Sequence, residues 1–197
     1  DLRERKHELM NAIAAQLSDA EIEALAKYWS ERPAGGTLAA DARKAAAVAS
    51  DVAFPADFPA NFVVYRTSED PESRTITRDW ANRAALDAAR AGQPLPLAAT
   101  IVVETLAAKS EAGKLVAEKP VSYVVFAARA GWGERIPALL RNGDWQFGAF
   151  APERGAQRLK NQATCLACHK PQAAKSFLFT YDELAAFAKK SAETRAK

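Results

Sequence analysis

The chain has 197 residues, 49% hydrophobic and 26% charged, with a formal net charge of +3 and a pI near 8.9. That length and balance supply a core for one domain plus an appendage, and they exclude a disordered or fibrous protein; no window approaches the roughly 18 apolar residues of a membrane span. The small basic excess is not interleaved with aromatic residues, so it gives no nucleic-acid footprint and better suits a face for an acidic partner.

The opening "DLRERKHE" is charged, unlike the basic-then-apolar start of a signal peptide, and the expectation is a mature or trimmed chain. "RERKHELMNAIAAQL" has helical composition, and Ser18 with Glu21 in "SDAE" forms a capping box that opens a second helix with Ile22, Leu25 and Trp29 on one face. Pro33, Gly35 and Gly36 stop it, so residues 1–36 are expected to form a small helical hairpin. "TLAADARKAAAVAS" is alanine-rich and predicts a linker helix within 37–53, ahead of a second domain over 54–197. There the texture changes to strands. "NFVVYRT", "RTIT", "AATIVVETL", "VSYVVFAARA" and "DWQFGAFA" are β-branched or aromatic runs separated by the turn signals "SEDPES", "KSEAGK", "GWGERIP" and "RNGD". They predict an antiparallel sheet of about five strands. "RDWANRAALDAARAG" reads as a helix stopped by Gly92, and "YDELAAFAKKSAE" as a closing helix. The fold class is α+β, with no internal repeat.

The chain's two cysteines stand in "CLACHK", Cys165 to Lys170. Two thiols separated by two residues, with histidine next, is the spacing for covalent haem attachment, the thiols adding to the two vinyl groups while the adjacent imidazole reaches the iron. Cys165 and Cys168 are then the thioether links of one haem c and His169 its proximal ligand, with Lys170 beside it. The weaker alternatives are a thioredoxin-like pair, which wants a βαβ setting that the pattern lacks, a zinc site, which wants four ligands when the other histidine is the distant His7, and an inert pair. Haem attachment implies the periplasm, because bacterial thioether formation occurs outside the cytoplasmic membrane, and it leaves no cysteine for a disulfide. Trp145, Phe147 and Phe150 are expected to pack the haem or the sheet, and Phe177 and Phe179 to line the proximal side. Arg154, Arg158, Lys160, Lys170 and Lys175 run without an intervening acid, which suits either steering of an acidic redox partner or a solvated face.

On these residues the stretch from about Phe54 to Phe187 resembles the cytochrome P-460 family, together with its relatives the β-type cytochromes c-prime. "CLACHKPQAAKSFLFT" resembles the family's haem-binding end, "DWQFGAF" its Trp-x-Phe strand, "SRTIT" with "WANRAAL" its Arg-containing strand and Asn-containing helix, and "LPLAATIVVETL" the strand that follows. The resemblance implies a compact α+β domain whose haem has histidine on one side and an open or gas-binding distal side on the other, often in a homodimer. In the cytochromes P-460 proper a lysine on the strand resembled by "TIVVETL" is bonded to the porphyrin edge, and those proteins oxidise hydroxylamine. Here Glu104 falls at that position, with Lys109 and Lys114 beyond it, which favours the gas-binding branch. The resemblance also places Arg74 as a distal arginine, and Glu104 becomes a candidate acid or base near the iron. Alternation puts Glu104 on the face of Val102 and Thr100 and does not decide whether that face is the pocket.

"ERKHELMNAIAAQLSDAEIEALAKYWSERP" resembles the last third of a class I cytochrome c, with Met10 where that family's axial methionine would be. Its haem has no attachment motif in this chain, so the favoured expectation is a longer dihaem protein with an upstream domain; a degenerate remnant and a plain core methionine are the alternatives. His7 is expected to be exposed. Two functions follow. In the first, the protein binds nitric oxide or a similar small gas and passes electrons to an acidic cytochrome or an upstream cytochrome c domain. In the second, it is an oxidoreductase acting on hydroxylamine or another small nitrogen or oxygen compound, with Glu104 as acid or base and Arg74 as electrostatic stabiliser.

Overall fold

The computed structural model describes residues 18–30 and 48–195, and the chain divides into two compact units, Asp1–Ala47 and Val48–Lys197. In the first unit, α1 (Asp19–Ser30) starts at the expected capping box. The Ser18 N–H donates to Glu21 Oε2 at 2.8 Å and the Glu21 N–H to Ser18 Oγ at 3.4 Å, which pairs two donors that a helix start leaves over. The expected first helix, with His7 and Met10, lies outside the described residues, as do the side chains of Leu25 and Trp29; Ile22 is exposed. Of the expected linker helix only residues 48–53 are described, and they carry no helical turn. No helix among the described residues is long and apolar enough to cross a membrane.

The second unit is α+β and is built on a five-stranded antiparallel meander: β1 (Phe62–Asp70), β2 (Thr75–Asn82), β3 (Thr100–Glu111), β4 (Lys114–Ala128) and β5 (Trp145–Phe150), neighbours in sequence being neighbours in space. Two boundaries differ from the sequence reading. The segment "RDWAN", expected to be helical, is strand, with Arg78 opposite Glu104 and Trp80 opposite Val102; helix α2 begins only at Arg83 and runs to Arg90. Asn82 is the reason. Its Oδ1 accepts the N–H groups of Ala85 and Thr100, both at 3.1 Å, so one side chain caps the helix and ties it to β3. The β3–β4 hairpin is also longer than expected, closing at Ala112 and Gly113 with φ of 50° and 78°, the two positive values that a tight hairpin turn requires.

Both faces of the sheet are covered. One buries Phe58, Phe62, Val102, Tyr123, Val125 and Phe150 under the segment that enters β1, with Val52 and Phe54. That segment presses so closely on β5 that a Cβ at Gly148 would stand 2.9 Å from Val52 Cγ1, which only glycine tolerates. The other face buries Ile101, Phe126, Trp145 and Phe147 beneath Leu86 of α2, Leu166 of α3 (Ala163–His169) and Leu184 of α4 (Tyr181–Arg195). Each large apolar side chain so buried contributes about 1.5–3 kcal/mol.

Three fully buried amides tie the loops to this frame, and two of them, Gln162 and Asn142, hold α3. Gln162 accepts from Phe147 N–H at 3.0 Å and donates to Ala49 O at 2.7 Å, Gln146 accepts from Asp51 N–H and donates to Trp132 O, and Asn142 donates to Leu166 O at 2.9 Å.

Candidate haem pocket

Cys165 and Cys168 are three positions apart on α3, and His169 is four from Cys165. At 3.6 residues per turn those spacings put all three on one stripe of the helix. The structure brings that stripe to one pocket of about 310 Å³, shared with Ile101, Val103, Val124, Phe126, Phe147 and Leu178. Side chains that alternate along a strand share a face, so Ile101 and Val103 of β3 and Val124 and Phe126 of β4 form the pocket's wall.

The His169 ring is held from several sides. It lies 4.6 Å from the Phe147 ring and 4.8 Å from that of Phe179, and Phe126, 5.6 Å away, is itself stacked on Trp145 at 4.1 Å. A carbonyl can only accept, so the 2.7 Å contact between Nδ1 and Phe177 O assigns the proton to Nδ1 and leaves the Nε2 lone pair to ligate. Burial lowers the pKa of His169, partly offset by this hydrogen bond, and the neutral ring is the form a metal takes. Burial likewise pushes the Cys165 thiol up. Among the described residues no three His, Cys, Asp or Glu side chains gather in a geometry that would hold a bare metal ion. Two thiols and a free Nε2 facing one apolar pocket are instead the donor set that a porphyrin with two vinyl groups needs.

The remaining expected site residues fall as follows. Trp145 backs Phe126 rather than lining the pocket, and Phe177 packs against the core while its carbonyl serves His169. Lys170 turns away and donates to Ala138 O and Arg141 O. Phe150 lies on the opposite face, with Phe54 and Tyr123. The placement of Glu104 in the pocket is corrected: Val103 looks into the pocket, so its neighbour Glu104 looks out of the other face. There it is 6% exposed, accepting from Trp80 Nε1 at 3.1 Å and from the Tyr123 hydroxyl at 3.2 Å. Arg74 is corrected too. It is exposed in the β1–β2 turn with φ of 52°, and its neighbour Thr75 pairs with Ala107, four residues or roughly 13 Å along β3 from Val103. Lys109 and Lys114 lie near the hairpin tip, and no lysine precedes Lys109 on β3. In the basic run, Arg154 is half-buried: its guanidinium sits 4.9–5.3 Å from the rings of Phe54, Phe58 and Tyr123. Arg158 pairs with Glu153 and Lys175 with Asp182.

The sequence reading missed Asp79. It is 4% exposed, stands opposite Val103 on the pocket-side face of the sheet, and pairs with Arg66 at 2.9 Å. Burial pushes its carboxyl up despite that arginine. The alternation in "TITRDWAN" carried the signal, but the helix composition of the next residues hid it. Ser176 was missed as well; it is buried, and its hydroxyl accepts from Leu95 N–H at 2.9 Å.

Residues 55–180 match the Cytochrome P460 family, a span that holds all five strands and the helix bearing Cys165, Cys168 and His169. No curated protein sequence matches the chain. With more than half of its length matched, the chain belongs to the cytochrome P460 family of haem proteins.

Proposed function

We propose that the protein is a periplasmic c-type cytochrome whose one haem is joined to Cys165 and Cys168, ligated by His169 and open on its other side, and that it binds nitric oxide or a similar small gas and exchanges electrons with a partner protein. The observation that carries this reading is the pocket itself: two thiols and an imidazole with Nε2 available, and otherwise Ile101, Val103, Val124, Phe126, Phe147, Thr164 and Leu178, none of them charged. The haem would supply an iron that changes oxidation state by one electron and could bind a small ligand. The protein's own contribution is to fix the imidazole tautomer through Phe177 O and to keep water from the apolar wall. A gas such as nitric oxide or carbon monoxide needs no proton, and a wall of this kind provides none.

Oxidation of hydroxylamine is the weaker reading. It has lost Glu104 as a proton carrier, because the sheet stands between that carboxylate and the pocket, and β3 brings no lysine to the wall for a cross-link. Its remaining support is the Asp79–Arg66 pair on the same face as Val103.

The test is an intact mass and an absorption spectrum of protein matured in a host that attaches haem c. One haem bound through two thioethers, with a ferrous spectrum that shifts on adding carbon monoxide or nitric oxide, is expected. A mass showing a third covalent bond, or turnover of hydroxylamine with an electron acceptor, would overturn the gas-binding reading.

A further inference from the structure

The acceptor for His169 Nδ1 stands on an unusual piece of chain. Ser176 and Phe177 have φ of 54° and 59°, two consecutive L-residues in the left-handed region that such residues rarely adopt, and neither is glycine, asparagine or aspartate. Such a conformation persists only where its surroundings over-determine it. Backbone bonds do part of this, from Ser176 N–H to Ala173 O, Phe177 N–H to Gln172 O and Leu178 N–H to Lys175 O. The remaining tie comes from a side chain: Ser176 Oγ, buried, accepts the N–H of Leu95. Leu95 lies between Pro94 and Pro96, so this N–H is the one backbone donor of a stiff three-residue stretch. The Tyr181 hydroxyl donates to Gln93 O at 2.7 Å and holds the same connection from the other end.

We propose that Ser176 is a positioning residue for the proximal ligand: by locking the Ser176–Phe177 turn to Leu95 it aims the Phe177 carbonyl at His169 Nδ1 and thereby sets the donor strength of the imidazole toward iron. The inference rests on the reading of His169 as haem ligand. A strong Nδ1–H···O bond gives the ring imidazolate character, strengthens the iron–nitrogen bond and favours ferric over ferrous iron. Loosening the turn does the reverse.

The test compares wild type with Ser176→Ala and Ser176→Gly in the full, haem-loaded chain. Both variants lose the hydroxyl, and the glycine also removes the backbone strain. Resonance Raman of the ferrous protein is expected to show the iron–histidine stretch at lower frequency in both, and redox titration a more positive midpoint, with haem content unchanged. A purely structural role would lower the melting temperature and move neither; unchanged stretch and midpoint overturn the proposal. Should the variants not load haem, 15N NMR of His169 in the haem-free full chain decides, with faster Nδ1 proton exchange expected, about fivefold for the loss of one ordinary hydrogen bond, and unchanged exchange overturning it. A wild type that carries no haem on His169 would sink the haem reading while leaving this second arm intact.

Discussion

Val103 and Glu104, adjacent on β3, serve opposite faces of the sheet: the first lines the pocket of Cys165, Cys168 and His169, and the second is buried among Trp80, Tyr123 and, 3.9 Å away, Arg78. The hydroxyl of Tyr123 in turn accepts from Arg154, whose φ of 57° and ring of aromatic neighbours pin the chain leaving β5. Glu104 is therefore a structural anchor. Glu104→Ala leaves the buried Tyr123 hydroxyl and the part-buried Trp80 N–H without this acceptor and is expected to cost about 1–3 kcal/mol in unfolding free energy. The haem spectrum and the affinity for carbon monoxide should not change. A large shift in either at full haem loading would return Glu104 to the pocket.

The covalent reading is checked one bond at a time. Cys168→Ala is expected to keep the haem on a single thioether, moving the reduced pyridine haemochrome band to longer wavelength because one vinyl group stays unsaturated. His169→Ala should retain the haem mass, since both thioethers remain, but lose the ferrous five-coordinate spectrum. Haem that washes out of the His169→Ala protein under denaturing conditions would show that the thiols are not its anchors.

Asp79 makes stability depend on pH in a stated direction. Its carboxyl holds a proton more tightly in the fold than the ordinary value of 3.8, through burial, with Arg66 opposing and Glu183 adding to the rise. The folded state thus binds more protons, and stability is lost as pH rises from about 3.8 through the raised folded value, then levels off. Relative to Asp79→Asn, which also weakens the bond to Arg66 by a roughly constant amount, the wild type should lose melting temperature across that window. A difference between the two proteins that stays flat with pH would refute the buried-carboxylate account.

Gln162 sits immediately before α3 and pairs both halves of its amide with backbone groups. Replacing it by leucine keeps the bulk but orphans the buried Phe147 N–H, while the exposed Ala49 can turn to water, a cost of about 1–3 kcal/mol. Chemical denaturation should show the loss, and the yield of haem-loaded protein should fall with it, because α3 carries the attachment residues. Wild-type stability in Gln162→Leu would mean that these groups find other partners.

The five strands were legible because their alternation and turn residues agree, and the Cys165–His169 motif was legible because its chemistry is local. What failed was long-range or two-valued. Alternation along "TIVVETL" divides β3 into two faces but cannot say which one meets α3, so the side of Glu104 stayed open until Val103 was seen to line the pocket. The residues Arg78–Asn82 precede a strongly helical run, and pairing with β1 and β3 on either side holds them as strand, which hid Asp79. Asn142, Gln146 and Gln162 carry no pattern at all, since their partners are backbone groups of distant segments. Ser176 reads as an ordinary loop serine until its φ and the Leu95 N–H are seen together.

Because the strands pair in the order in which they occur, each can dock as soon as it follows its predecessor, without waiting for distant chain. Phe150 ends the last strand well before Cys165 appears, so during synthesis the apolar wall emerges ahead of the helix that will face it. The wall is thus encoded ahead of the thiols, and under the proposed reading it is the docking of α3 that brings them to it.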